Sequence, residues 1–284
     1  MKDHAAYSVR CDDQERAMSA YCRAAMNYAL SQTEVSSVEV DIYNGREADL
    51  SWQTHGFELC QHTSAVDDWA DDKQVAAIYY AEAEQLARQM TRCDVALIGG
   101  HISRNPTSAA RHIDFAPIQY VHSDFTQSYG ALLRDRFVVV EEGARQALER
   151  AGVDADIVVH AKRLLVLQFW RNVGPVTMDL PLALCDTRTV PVADLHSFTV
   201  PEYGGESLPF DTFGVSAPLQ TGAHRWYTFP DMHRDEAIVF RTYDSELAAQ
   251  GGHFWTPHSA FAEQRLARAP ARHSIEVRAT CVFS

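Results

Sequence analysis

Positive charge is scarce in this chain. Its 284 residues include 25 lysines and arginines against 38 aspartates and glutamates, which gives a formal net charge of −13. Nucleic acids and anionic membranes attract basic patches, so this balance argues against both as partners. A small substrate is compatible with it, because a local group of arginines is enough to bind one anion.

Long apolar runs are also lacking. No run approaches membrane-spanning length, and the residues after Met1 lack the apolar core of a signal peptide, so we expect a cytoplasmic protein. Six cysteines are scattered without a Cys-x-x-Cys pair, which argues against a structural zinc site and a disulfide framework. The composition, 46% hydrophobic and 22% charged, is that of an ordinary globular domain.

Hydrophobic periodicity predicts helices early in the chain and strands later. Helical spacing favours helices over 13–31, 73–92 and 141–152. Alternation and apolar runs predict the strands, which are 37–43, 55–59, 94–101, 157–160, 163–170, 178–185, 225–229, 236–243 and 272–281. Residues 103–115 and the proline-rich stretch 186–222 are expected to be loop or irregular β structure.

This balance predicts a single domain over 1–284 that is mainly β with flanking helices. We expect a helical N-terminal extension over 1–35, a supporting region of helix and strand over 36–115, and a barrel or sandwich core over 116–284. The N-terminal helix is a candidate contact for a homodimer.

A His-x-Asp pair lies in the stretch 120–126. If this stretch is a strand, alternation points His122 and Asp124 to the same face. They would supply two of the three ligands of the 2-His-1-carboxylate triad that holds non-haem Fe(II). The pair alone is a weak signal, because it also occurs as an ordinary surface pair or as a buried, hydrogen-bonded histidine.

Polar residues near the C-terminus extend this pattern. His258 follows the 236–243 strand, and Arg272 and Ser274 share one face of the last strand. An arginine beside a hydroxyl inside a barrel makes a clamp for a carboxylate. The order His-x-Asp, His, Arg-x-Ser therefore indicates an Fe(II) centre with positions open for O2 and a cosubstrate, and a clamp for the distal carboxylate of 2-oxoglutarate.

Several segments together resemble the CmcJ/NvfI/AsaB-like family of Fe(II)/2-oxoglutarate-dependent oxygenases, natural-product hydroxylases and desaturases. The segments that carry the resemblance are 121–126, 175–176, 179–186, 225–232, 235–236, 243–245, 258–261 and 272–278. The resemblance covers the chain from about residue 37 to its end.

The resemblance implies a double-stranded β-helix (jelly-roll, cupin-like) core with iron at its mouth. By position, His122, Asp124 and His258 would be the catalytic iron ligands, and Arg272 and Ser274 would bind 2-oxoglutarate. The implied reaction decarboxylates 2-oxoglutarate to succinate with O2 and attacks an unactivated C–H bond. Hydroxylation, desaturation or cyclisation could result, on a small natural-product substrate that is amino-acid- or peptide-derived.

One segment departs from the family pattern. The family usually has Asn-x-Trp-Arg-Pro ahead of Pro175-Val176, whereas Gln168 and Asn172 stand at the two ends of this motif here. If the segment lines the substrate pocket, the substrate differs from those of the best-known members. The candidate substrate residues are Tyr120, Gln168, Trp170, Arg171, Asn172 and His224.

Two assignments and the function class stay open. His224 is a rival of His258 as the third ligand, although a ligand one strand before the arginine-bearing strand suits a jelly-roll better. Arg278 shares the face of Arg272 and is the alternative clamp. The other function classes are a jelly-roll metal enzyme that does not use 2-oxoglutarate and a non-catalytic barrel that binds a small molecule.

Overall fold

Two antiparallel sheets form the body of the protein. The computed structural model describes residues 18–31, 34–207 and 209–284. The first sheet has the strand order β1-β2-β11-β8-β13-β6-β10-β9. Its strands are β1 (Cys22–Ala29), β2 (Val35–Asn44), β6 (His122–Ser123), β8 (Leu182–Cys185), β9 (Leu195–Val200), β10 (Phe210–Val215), β11 (Trp226–Thr228) and β13 (His258–Ala260). Only the β2–β11 pair of the described strands is parallel.

The second sheet has the order β3-β12-β7-β14-β4, and β5 also pairs with β14. Its strands are β3 (Phe57–Gln61), β4 (Val95–Leu97), β5 (His101–Arg104), β7 (Arg163–Asn172), β12 (Glu236–Asp244) and β14 (Ser274–Phe283). Apolar residues of both sheets, such as Leu184 and Tyr227 from the first and Trp170 and Phe240 from the second, pack into one core. This is the sandwich expected of a jelly-roll.

Helices cover the outer face of the second sheet and one end of the sandwich. They are α1 (Asp72–Gln74), α2 (Tyr80–Thr91), α3 (Pro106–Arg111), α4 (Tyr129–Val138), α5 (Glu142–Ala151), α6 (Asp156–Val159) and α7 (Ser245–Ala249), with a π-helical turn (Val75–Tyr79) between α1 and α2. The predicted helices over 73–92 and 141–152 are confirmed, and Gly152 caps the second with a φ of 66°. No helix among the described residues has the length and apolarity needed to cross a bilayer.

The predicted helix over 13–31 is wrong where the structure describes it. Residues 22–29 form strand β1, which pairs in register with β2 along its whole length. Ala24, Met26 and Tyr28 alternate into the core, so the burial has the period of a strand even though alanine and methionine favour helices. Sheet pairing overrides this propensity. The remainder of the predicted extension, residues 1–17 and 32–33, lies outside the described residues.

Three other regions differ from their predicted structure. Residues 157–160 belong to helix α6 instead of a strand, and Val158 packs beside Leu133 and Phe137 of α4. A short apolar run does not by itself distinguish a strand from a buried helix. The predicted strand over 94–101 divides into β4 and β5, and α3 follows within the predicted loop, where Asn105 forms a capping box with Ser108.

Strands from the first 115 residues join both sheets, so the β core is not confined to 116–284. The stretch 186–222 likewise contains a regular hairpin, β9–β10, which extends the first sheet. That the chain is one domain stays a prediction.

Candidate active site

Two imidazoles and a carboxylate converge between the sheets. His122 on β6 and His258 on β13 are direct cross-strand partners, and Asp124 follows β6 immediately. The Asp124 Oδ1 atom lies 3.7 Å from His122 Nε2 and 3.6 Å from His258 Nε2. One potential ligand atom from each residue falls within 4.8 Å of the others. All three side chains are buried.

Backbone carbonyls fix the direction of both imidazoles. The Nδ1 atom of His122 lies 2.7 Å from the Tyr120 carbonyl oxygen, and Nδ1 of His258 lies 3.0 Å from that of Thr256. A carbonyl can only accept, so each Nδ1 carries the proton and donates it. In the neutral form of each imidazole, the Nε2 lone pair then faces the space beside Asp124, as metal ligation requires.

Electrostatics hold His122 and Asp124 in the protonation states that bind a cation. Burial and the nearby His258 lower the pKa of His122 to about 4, so His122 is neutral at physiological pH. Burial alone would raise the pKa of Asp124. The positive charge of Arg278, which donates to this carboxylate, outweighs burial, and the pKa of Asp124 lies well below its usual range.

An ion network behind the triad engages the second oxygen of Asp124. Arg278 on β14 donates from Nε and Nη2 to Asp124 Oδ2, at 3.2 and 3.0 Å. Glu276 lies 3.8 Å from Arg278 and accepts hydrogen bonds from Arg104 and Gln168. Asp124 Oδ1 is thus left to face the imidazoles.

Arg272 and Ser274 present unused donors at the start of β14, although Arg272 lines the same small cavity as the triad and Ser274 lines a separate one with Ser103 and Asn105. Arg272 donates from Nη1 to the Leu180 carbonyl oxygen at 2.9 Å, and its guanidinium lies 5.5 Å from the centre of the Trp170 ring. The Arg272 Nε and Ser274 Oγ atoms are buried without a hydrogen-bond partner in the described part of the chain. Burial, reinforced by nearby Arg104, lowers the pKa of Arg272 to about 9. A buried cation with an unpaired donor is poised to bind an anion.

Two cavities meet at the triad. The small one is lined by the triad, by Arg272 and by Gln168. The larger cleft is lined by His122, Asp124, Arg278 and Tyr120. The Tyr120 and His122 rings are stacked, with centroids 6.1 Å apart. Tyr120, Gln168 and Trp170 line the cavities that reach the triad, and their role in substrate binding stays a prediction.

Three candidate substrate residues lie elsewhere, because they are engaged in structural contacts. Arg171 points to the outer face of β7, where it donates to the carbonyl oxygens of His62 and Arg234 and packs against Trp69 and Tyr79. The Asn172 amide donates to the carbonyl oxygens of Pro175 and Met232. His224 pairs with Asp194 at 2.9 Å and contacts Tyr28. None of the three lines either cavity.

Sequence reasoning missed several residues at the site. It considered Arg278 only as an alternative clamp or a salt bridge, not as the partner of Asp124. Alternation along the last strand, which places Glu276 and Arg278 on the face of Arg272, was the available signal. Part of the cleft wall comes from α4 and from the β9–β10 hairpin, which the sequence did not predict.

The chain matches the family described as the oxidoreductase/YMDC permease-like domain over residues 5–283. It is 29% identical over 262 residues to the hydroxylase/desaturase efuI of Hormonema carpetanum, covering 85% of this chain and 81% of that protein. It is 26% identical over 238 residues to the hydroxylase/desaturase CTB9 of Cercospora beticola, covering 80% of this chain and 71% of that one.

A solved structure has the same fold. That of the iron and alpha-ketoglutarate-dependent endoperoxidase NvfI superposes with a TM-score of 0.74 at 21% identity, covering 94% of this chain and 98% of that one. The fold and the buried triad define a jelly-roll oxidoreductase. The chain belongs to the oxidoreductase/YMDC permease-like family, and the resemblance seen in its sequence motifs is confirmed.

Proposed function

We propose that the protein is an Fe(II)/2-oxoglutarate-dependent oxygenase that oxidises a C–H bond of a small natural-product substrate. The observation that carries the proposal is one cavity with two chemically distinct sides. One side has two imidazoles and a carboxylate, the donor set typical of non-haem Fe(II). The other has Arg272, a buried arginine with an unpartnered donor.

His122, Asp124 and His258 would hold the metal. Fe(II) with 2-oxoglutarate and O2 supplies the oxidising power to break a C–H bond, while 2-oxoglutarate becomes succinate and CO2. The protein keeps His122 neutral and Asp124 ionised, so neither group has to lose a proton before a cation binds. The burial of all three residues keeps bulk water from the reacting atoms.

Arg272 and Ser274 would orient 2-oxoglutarate by its distal carboxylate. The unpartnered Arg272 Nε and Ser274 Oγ supply two donors for its oxygens. Arg278 is the weaker clamp candidate, because its Nε and Nη2 already bind Asp124. His224 is the weaker ligand candidate, because both its ring nitrogens contact other side chains.

Other features of the proposal rest on the sequence. An amino-acid- or peptide-derived substrate, a homodimer and a cytoplasmic location stay predictions. The five cysteines in the described residues are free thiols, as a reducing compartment would keep them.

An anaerobic titration tests the proposal. Metal-free protein receives Fe(II) and then 2-oxoglutarate, and visible absorption is recorded for a metal-to-ligand charge-transfer band. We expect the band in the wild type and its loss in His258→Ala. Arg272→Ala should weaken the binding of 2-oxoglutarate by about tenfold or more, since a charge-assisted interaction is lost. His273→Ala, at an exposed position beside Arg272, is the matched control and should keep the band.

The other outcomes separate the function classes. Bound iron without a band would favour a jelly-roll metal enzyme that does not use 2-oxoglutarate. Absence of iron binding would leave a small-molecule-binding barrel. Normal 2-oxoglutarate turnover by Arg272→Ala would show that the clamp is assigned to the wrong residue.

A further inference from the structure

The larger cleft beside the triad has an apolar, ring-rich wall. A second cavity adjoins it, and Tyr129, Arg136 and Tyr203 are among the residues that line both. The cleft lining is dominated by apolar and aromatic side chains, which are Ile102, Ile113, Pro117, Ile118, Tyr120, Phe125, Tyr129, Val200, Tyr203 and Phe210. Such a surface suits an apolar ligand with rings of its own.

Most charged groups of the cleft already have close partners. Arg104 donates to two carbonyl oxygens, to the Tyr203 hydroxyl and to Glu276. Arg278 is held by Asp124. Asp114 accepts from the Gly204 backbone N–H at 2.7 Å and lies 3.2 Å from the His112 ring.

Arg136 differs from these residues. Its Nε atom lies 3.9 Å from the Glu141 carboxylate, which is beyond hydrogen-bonding distance. Its side chain is about one-quarter exposed and lines both cavities. Its five donors are therefore available to a ligand in the cleft.

Helix α4 places this cation and the triad end of the cleft on one element. Tyr129 begins the helix and Arg136 lies seven residues later, so their Cα atoms are separated by about 10 Å along the axis. The Tyr129 ring stacks on Phe125 with centroids 3.5 Å apart, and Phe125 follows Asp124 directly. Tyr129 thus marks the triad end of the cleft.

We propose that the substrate is a mainly apolar, ring-bearing molecule with one anionic group, which Arg136 binds. The anionic group would lie on the α4 side of the cleft while another part of the molecule lies at the triad. Arg136 is then a specificity-determining residue, because it selects which end of an elongated substrate reaches the triad. The identity of the reaction rests on the proposed function, whereas the binding preference does not need the metal.

Two fluorescent probes with the same rings test the binding preference on metal-free protein. Anilinonaphthalene sulfonate carries an anionic group, and phenylnaphthylamine is its neutral counterpart. We expect Arg136→Gln to lower the affinity for the sulfonate probe by about tenfold, the effect of losing one charge-assisted hydrogen bond. The affinity for the neutral probe should not change. Glu141→Gln, which removes the competing carboxylate, should raise the affinity for the sulfonate probe and not for the neutral one.

Two control variants complete the experiment. Arg145→Gln removes the same charge from the outer surface of α5, where Arg145 pairs with Glu142 and Glu149, and should change neither probe. Val200→Trp places a larger side chain in the cleft and should weaken the binding of both probes.

The results distinguish this inference from the proposed function. Equal effects of Arg136→Gln on the two probes, or none on either, would overturn the inference. Insensitivity to Val200→Trp would also overturn it, because the probes would then bind elsewhere. A sulfonate preference in a protein without the charge-transfer band would keep the binding site and reject the oxygenase.

Discussion

At the scale of single residues, the most informative atom is the second carboxylate oxygen of Asp124. Arg278 holds Oδ2 from the opposite sheet, while Oδ1 faces both imidazoles. A carboxylate held in this way offers a single oxygen to a cation. The other positions around the metal then stay available for 2-oxoglutarate and O2.

Replacing Arg278 should therefore change the metal site and not only the stability. We expect Arg278→Gln to lower the affinity for Co(II), a spectroscopic substitute for Fe(II), by about 10- to 100-fold, as for the loss of other partners of metal ligands. Its visible spectrum should also change, because Asp124 gains the freedom to bind through both oxygens. Optical titration of the metal-free protein measures both effects.

The matched control is Arg163→Gln. Arg163 binds the carboxylate of Asp244 at 2.6 Å in another part of the second sheet. This variant should lose stability and keep the wild-type Co(II) spectrum. Identical Co(II) binding by both variants would assign Arg278 a purely structural role.

At the scale of elements, β7 divides structure and chemistry between its two faces. Gln168 and Trp170 point to the small cavity, whereas Phe169 and Arg171 point to the helical layer. The sequence proposed Arg171 as a substrate residue from its motif, but alternation places it on the outer face. There it is fully buried and bound to carbonyl oxygens.

Substitutions on the two faces of β7 should separate stability from binding. Arg171→Met leaves two carbonyl oxygens without their buried donor, so we expect the free energy of unfolding to fall by about 3 kcal/mol. The charge-transfer band of the folded variant should be unchanged. Trp170→Phe should cost little stability. It should weaken the binding of 2-oxoglutarate, because the Arg272 guanidinium lies over the Trp170 ring. Urea unfolding and the anaerobic titration provide the two measurements, and a reversal of the pattern would refute this division.

The sequence predicted elements best where one period was unambiguous. The alternation over 236–243 and 272–281 and the helical stripe over 73–92 gave elements of the correct type. It failed for β1, whose alanines and methionines suit a helix until β2 supplies a partner, and for α6, whose apolar run is too short to show a period.

The candidate site was predicted in a similar way. Short spacings such as His122-x-Asp124 and Arg272-x-Ser274 are local and were visible. The pairing of Arg278 with Asp124 joins residues 154 positions apart, and only the packed sheets reveal it.

At the scale of the whole molecule, the two sheets contribute different halves of the site. The first sheet carries His122 and His258, with Asp124 directly after β6, and the second carries Ser274, with Arg272 directly before β14. A cosubstrate bound to both halves would therefore link the sheets. Ligand binding to the native state alone should then appear as global stabilisation.

Under anaerobic conditions, the stability of the protein against thermal unfolding should increase in two ordered steps. Fe(II) at 100 times its dissociation constant should add about 2.7 kcal/mol, and 2-oxoglutarate should add a similar increment only when metal is present. Arg272→Ala should keep the first step and lose the second, which calorimetry would detect. An equal response to 2-oxoglutarate in metal-free protein would show that it binds without the metal.

The direct pairing of His122 with His258 has a consequence for engineering this protein. A slip of one residue between β6 and β13 would turn one imidazole to the opposite face of its sheet, so the metal centre cannot survive insertions or deletions within these strands. One part of the cleft wall comes from α4 and the β9–β10 hairpin, which carry no residue of the triad. Mutant libraries that vary only those walls could redirect the protein to new molecules and leave its reactive centre intact.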